Sequence, residues 1–272
     1  MNALLNGTSI TADLAAALQN RGFRFGDGCF ETMLVLDGEC PLLSLHSARI
    51  RRSLSVLGIQ WPENLDLEAQ IKQVYGATTG WQRLRLWIWR SGEGIYTPES
   101  NESQTMLAAS PASAPQIQQR KQVQFSEEVV LLPSRWSFIK TISALPYVMA
   151  AREKKEKSAE ELVLLNHRGE IAEATAANLF WKKRKRWYTP ALDSGCVAGV
   201  MRAWLMRRMI EKGEPVFEVL AQPDELLKAD KLVCTNVTGL QPVLQLGEKQ
   251  YDADVEELWS LMPETYLFAS KQ

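Results

Sequence analysis

The chain reads as an α/β protein of two domains, and three observations carry that reading. Hydrophobic residues make up 46% of its 272 positions and charged residues 23%, which is enough apolar surface for one large or two medium cores. Segments that alternate as strands do, such as "RLRLWIWR", are interleaved with segments of helical period that close on glycine, such as "AGVMRAWLMRRMIEKG". The stretch "PASAPQIQQRK", rich in Pro, Ala, Ser and Gln, has the composition of a linker. It divides the chain into an N-terminal α/β domain at 1–110, a linker at 111–121 and a C-terminal domain at 122–272.

The elements follow in order. Residues 29–43, "CFETMLVLDGECPLL", read as two strands joined at Asp37-Gly38, a short hairpin signal. A helix follows with Ser44 as N-cap, an apolar face of Leu45, Ala48, Leu54 and Leu57, and Gly58 at its end. "RLRLWIWR" and "SQTMLAAS" are strands, and past the linker "VQFSEEVVLL" is another. A helix spans about Pro146 to Lys157, then "ELVLLNHRGEIAEATAANLFWKKRKRWYTP" forms a series of strands with turns at His167 to Gly169 and at the basic run. In the last strong helix Val200, Ala203, Trp204, Met206, Met209 and Ile210 cluster apolar, and Gly213 stops it.

Several function classes are excluded. A formal net charge of -1 leaves no global basic footprint for nucleic acid, and "KKRKR" sits where a solvated hairpin tip is expected. Cys29, Cys40, Cys196 and Cys234 are scattered without metal or disulfide spacing and read as reduced thiols. The N-terminus lacks a basic region followed by an apolar run, and no segment approaches about 18 uninterrupted apolar residues. The protein is read as cytoplasmic, without membrane or nucleic-acid partners. The tryptophans and methionines are assigned to cores, and neither His46 nor His167 is placed for a metal.

Four features invite a chemical reading. Lys140 stands alone among Phe138, Ile139, Ile142, Ala144 and Leu145, whereas the other basic residues run together. Either its amine is partly desolvated and available for Schiff-base or base chemistry, or its stem lies along apolar surface with the ammonium in water. Glu173, in "GEIAEATAANLFW", is a carboxylate among small and apolar residues and needs a partner if buried. Gly199 precedes a helix, so the N–H groups of Val200 and Met201 stand at an anion-favouring helix start. In "LHSARIRRS", Arg49 can turn inward toward a phosphate while Arg51 and Arg52 face water.

Lysine, arginine, helix start and carboxylate together meet the needs of pyridoxal 5'-phosphate. The chain resembles the class IV (fold type IV) pyridoxal-phosphate enzymes, which include branched-chain aminotransferases, D-amino-acid aminotransferases and 4-amino-4-deoxychorismate lyases. The likeness runs through "FGDGCFETMLVLDG", "LLSLHSARIRRSLSVLGI", "IKTISALPYVMAAREKKE", "GEIAEATAANLFW", "YTPALDSGCVAGVMR" and "CTNVTGLQPV", in the family's order. It implies two α/β domains, a smaller N-terminal sandwich and a larger C-terminal domain with a barrel-like sheet, working as a homodimer on a small amino substrate. It also implies roles: Lys140 as the Schiff-base lysine, Glu173 as partner of the pyridine nitrogen, and Arg49, Val200, Met201 and the Thr235-Asn236 pair as phosphate contacts.

Within the family, branched-chain enzymes resemble one another in a tyrosine five residues after the lysine, where this chain has Leu145. D-amino-acid enzymes carry an Arg-x-His pair in the segment that here reads "RSGEGIYTPES", and none is present. Lyase-like sequences resemble R-G-x-G-G-R-G-Y there, and Arg90, Gly92, Gly94 and Tyr96 are kept while the second arginine is not. Arg90 is thus the candidate for the substrate carboxylate. The resemblance implies a lyase releasing 4-aminobenzoate and pyruvate for folate synthesis, with an amino-acid transaminase as the alternative. A binding protein that kept the fold is disfavoured, since Lys140 and Glu173 are both present.

Overall fold

The computed structural model describes residues 4–5, 8–9, 19–63 and 65–269, so most of the N-terminal stretch read for a leader lies outside the described residues. The chain forms two units, one of Met1–Glu39, His46–Pro111 and Lys140–Ser143, the other of Cys40–Leu45, Ala112–Ile139 and Ala144–Gln272. None of the described helices is long and apolar enough to cross a membrane.

The first unit holds β1 (Leu4–Leu5), β2 (Thr8–Ser9), α1 (Arg21–Phe25), β3 (Gly28–Leu36), α2 (Leu43–Leu57), α3 (Leu67–Tyr75), β4 (Trp81–Arg90) and β5 (Ser103–Pro111), with α2 beginning in the segment assigned to the second unit. β3, β4 and β5 make one antiparallel sheet in which Gly28 faces Trp89 and Leu36 faces Trp81. The hairpin expected at 29–43 does not form. Asp37 and Gly38 do turn the chain with φ of 49° and 81°. Only Glu39 returns to the ladder, exchanging hydrogen bonds with Leu36 at 2.9 and 3.0 Å. Pro41 has no N–H to continue it, and β4 takes the long pairing instead.

The face of α2 also differs from the expected one. The helix buries His46, Ile50, Ser53 and Leu54, while Leu45 is half-buried and Ala48 exposed. Polar partners on β3 set this rotation, because Glu31 lies on the buried side of the strand and pairs with His46 and Arg49. At the other end Gly58 takes φ 63° and Ile59 N–H donates to Leu54 O at 2.9 Å, which closes the helix.

The second unit contains β6 (Gln116–Ile117), β7 (Val123–Leu131), α4 (Leu145–Glu156), β8 (Glu161–Asn166), β9 (Ile171–Ala174), β10 (Asn178–Lys183), β11 (Arg186–Pro190), α5 (Val200–Glu211), β12 (Val216–Val219), α6 (Asp224–Leu227), β13 (Lys231–Asn236), β14 (Gly239–Pro242), β15 (Gln245–Leu246), β16 (Lys249–Gln250), α7 (Glu256–Trp259) and α8 (Glu264–Ala269). Its two sheets have the orders β12-β11-β10-β13-β14-β6 and β16-β15-β7-β8-β9. They share one core, in which Val163, Ile171 and Ala174 of one sheet pack with Leu179, Trp181 and Cys234 of the other. α4 covers the opposite face of the second sheet, against Leu162, Leu164 and Ala172. The Pro/Ala/Ser/Gln-rich stretch contributes β6, parallel to β14.

The basic run forms the predicted tip, with Arg184 and Lys185 at φ 50° and 67° and both exposed. Flanking Lys182 and Lys183 pair with Glu257 and Glu225. α5 buries Val200, Met201, Arg202, Leu205 and Met209, so the expected stripe is rotated and Ala203 and Ile210 face outward. The rotation follows from Arg202, whose guanidinium reaches Thr189 Oγ1 (3.3 Å), Pro190 O (2.8 Å) and Glu218 Oε2 (2.5 Å).

Arg90 anchors the first unit. It is buried; its Nε donates to Asp27 Oδ2 at 3.0 Å, and its terminal nitrogens donate to Gly58 O, Asn101 Oδ1 and Leu57 O at 2.8, 2.5 and 2.6 Å. The end of α2, where carbonyls lack helical partners, is thereby capped by a buried cation. Replacing it strands those carbonyls and half of the Asp27 pairing, so Arg90→Met is expected to cost about 3 kcal/mol. Urea denaturation followed by circular dichroism measures the loss, and an unchanged midpoint would contradict it.

Candidate active site

In the first unit, the loop that carries Lys140 is bound to the start of β3. Phe30 N–H donates to Lys140 O at 2.9 Å, Ile142 N–H donates to Gly28 O at 3.0 Å, and Thr141 bridges Cys29. The half-buried lysine points its Nζ over the Phe30 ring, 4.2 Å from the centroid. Its backbone is therefore fixed by a strand while its amine lies against an aromatic face.

Arg49 turns inward, with its side chain 10% exposed, while Arg51 and Arg52 face water. Glu31 fixes it in a forked pair, Nε to Oε1 at 2.7 Å and a terminal nitrogen to Oε2 at 2.5 Å. His46 Nδ1 lies 2.7 Å from the same Oε2. Burial pushes the Glu31 carboxyl up, but Arg49 and then His46 outweigh it and hold the group down at about 2. Arg90, expected at the substrate carboxylate, has all three guanidinium nitrogens engaged by Asp27, Asn101 and the end of α2. The segment after it is held by another arginine: Arg21 pairs with Asp27 at 2.9 Å and donates to the carbonyls of Glu93 (3.1 Å) and Ile95 (2.9 Å).

In the second unit, Glu173 is buried on β9 opposite Leu164 of β8, on the side that faces α4. Tyr147 Oη donates to its Oε1 at 2.6 Å, and Val197 N–H and Asn178 Nδ2 donate to Oε2 at 3.1 and 3.4 Å. These donors replace the water that the carboxylate gives up on burial. Asn178 also donates to Val197 O at 2.8 Å, which ties β10 to the loop before α5. Gly199, the N-cap of α5, lies directly against it: a Cβ there would fall 1.8 Å from Asn178 Oδ1. Val200 and Met201 open that helix with buried side chains, and Thr235, paired in register with Asn178, is buried as well. Asn236 is occupied by its own turn, since its Oδ1 accepts from Thr238 N–H (2.9 Å) and Thr238 Oγ1 (2.6 Å), and its Nδ2 donates to Ala176 O (3.0 Å).

Glu173, Val200, Met201, Thr235 and Asn236 thus belong to one unit, and Lys140, Arg49 and Arg90 to the other. Glu31, Tyr147 and Asn178 carry as much of the geometry, yet received no role from the sequence although each lies within a block that resembles the family. Glu31 was legible by alternation, since Cys29, Met33 and Val35 on its side of β3 are all buried. For Tyr147 and Asn178 no local pattern points to Glu173.

The Amino-transferase class IV family model matches residues 28–246, and the chain belongs to that family. It is 27% identical over 261 residues to an aminodeoxychorismate lyase from Bacillus subtilis (strain 168), covering 91% of this chain and 87% of that protein. A D-alanine aminotransferase from Bacillus licheniformis is 27% identical over 255 residues, 88% of this chain and 86% of its own. The crystal structure of 4-amino-4-deoxychorismate lyase from Pseudomonas aeruginosa superposes with a TM-score of 0.75 at 27% identity, covering 90% of this chain and 92% of the other. The fold is that of the fold type IV pyridoxal-phosphate enzymes, and this protein is a pyridoxal-phosphate-dependent enzyme with lyase or transaminase activity. The residues fit the cofactor: a buried carboxylate supplied with hydrogen-bond donors suits a protonated ring nitrogen.

Because the Glu31 carboxyl is held near 2 rather than its ordinary 4.5, folding favours the charged form. That contribution, about 3 kcal/mol, is complete above the ordinary value and is lost as pH falls through the folded one. Denaturation of the native protein and Glu31→Gln should show a stability gap that narrows between pH 4.5 and about 2. A gap independent of pH would remove Glu31 from this role.

Proposed function

We propose that the protein is a 4-amino-4-deoxychorismate lyase, producing 4-aminobenzoate and pyruvate for folate synthesis. The observation that carries this choice is the segment after β4. "RSGEGIYTPES" offers no Arg-x-His pair for an amino-acid carboxylate; its first residue, Arg90, and Arg21, which holds its carbonyls, are buried and engaged in holding the fold, and exposed Arg24 donates to Gly94 O. Likeness to a lyase over nine-tenths of both chains supports the same reading.

In this reading Lys140 holds the cofactor covalently, Glu173 pairs with its ring nitrogen, and Arg49, the N–H groups of Val200 and Met201, and Thr235 receive its phosphate. Asn236 is left to its turn and Arg90 to the end of α2. Bound pyridoxal phosphate supplies an electron sink for the carbon that bears the substrate amine. With cofactor and substrate bound, Lys140 Nζ would be the group that takes up the ring proton and returns it to the departing three-carbon fragment. The charge of Glu173 keeps the opposite end of the sink protonated. Two copies acting together in the cytoplasm complete the expectation drawn from the family resemblance.

The alternative is an amino-acid transaminase, supported by the equal identity to D-alanine aminotransferase. Cofactor-loaded protein given aminodeoxychorismate should release 4-aminobenzoate, read by fluorescence, in step with pyruvate, and Lys140→Ala should slow both by about a thousandfold or more. No product from that substrate, together with loss of the visible band on adding one amino-acid donor without a keto acid, would establish the transaminase instead.

A further inference from the structure

The donors on Glu173 are not equivalent. Val197 N–H is main chain and Asn178 Nδ2 divides its hydrogens between Glu173 and Val197 O, so both are fixed by the sheet and the loop before α5. Tyr147 is a side-chain hydroxyl from α4, and its bond to Oε1, 2.6 Å, is shorter than those that Val197 and Asn178 make to Oε2. Its place is tightly set. Pro146 stiffens the first turn of α4, and the ring packs against the Leu162, Leu164 and Ala172 cluster. Tyr147 also follows Lys140 by seven residues, so the segment that presents the lysine leads directly into the helix that presents the phenol.

The surroundings keep this bond in one protonation state. Burial first, then the Glu173 charge, pushes the Tyr147 phenol well above its ordinary range, so it donates at every working pH. Cys196, the neighbouring thiol, is pushed up to about 12 by burial and by Glu173, and it too remains neutral. A carboxylate that accepts a strong hydrogen bond is a weaker base than one that does not.

We propose that Tyr147 is a positioning residue that holds Glu173 Oε1 and reduces the basicity of its carboxylate, so that a proton shared with the cofactor's ring nitrogen stays on the nitrogen. This deepens the proposed function and rests on its reading of Glu173 as the ring-nitrogen partner. Without the phenol, Glu173 competes better for the shared proton and the ring withdraws electrons less strongly.

The test loads native protein, Tyr147→Phe and Glu173→Gln with pyridoxal phosphate labelled with nitrogen-15 in the ring, and compares the nitrogen resonances. Phenylalanine keeps the packing of the ring, and circular dichroism with thermal melting checks that each variant is folded. The native protein should give a protonated-ring resonance, Glu173→Gln an unprotonated one, and Tyr147→Phe a value displaced part of the way toward it. A Tyr147→Phe resonance identical to native, with Glu173→Gln displaced, would overturn the role of Tyr147 and leave the reading of Glu173 standing. A Glu173→Gln resonance identical to native would overturn both. Lost packing alone, in a variant that still binds the cofactor, would not move the resonance in this direction.

Discussion

A charge removed from water must bring its partner with it, and this constraint organises both units. In the first, Glu31 is held between Arg49 and His46, and Asp27 between Arg21 and Arg90. In the second, Glu173 accepts from Tyr147, Asn178 and Val197, Arg202 bridges α5 to Glu218, and Glu153 of α4 accepts from Ser126 Oγ at 2.5 Å and from the Glu127 N–H at 2.8 Å. Each of these groups would cost several kcal/mol if buried alone. Each therefore fixes the relative position of two elements that apolar packing alone would let slide.

The same constraint explains what was legible in the sequence. Strands and helices of the second unit were readable because alternation and helical period are local: β8 to β11, α4 and α5 fall where the pattern placed them. Faces were less legible. In both α2 and α5 the hydrophobic residues suggested one stripe and the buried polar residue chose another, His46 in one and Arg202 in the other. The hairpin at Asp37-Gly38 failed for a related reason: the turn formed as its residues dictate, but β4 was the better partner for β3.

The site shows the same split. An isolated lysine and an isolated carboxylate drew notice because their neighbours were apolar, and family resemblance supplied their roles. Arg90 was read from the lyase-like segment that it opens, and that likeness gives no sign of the carbonyls and carboxylate that surround it. Glu31 could have been found from the buried alternation of β3, whereas the bond from Tyr147 to Glu173 spans 26 positions and has no one-dimensional signature. What a short window cannot show is which donor meets which acceptor.

One oxygen of Asp27 receives both Arg21 and Arg90, and the two guanidinium groups between them also bind the segment after β4 and the end of α2. The association is three-bodied and its members are not equivalent: without Asp27 two guanidinium groups face each other without their shared carboxylate, whereas without either arginine a one-to-one pair remains and the carbonyls that arginine held lose their donor. A lineage altering the loop beside β4 would meet a ridge in sequence space here. The freedom to vary that loop lies in the residues the two arginines leave untouched.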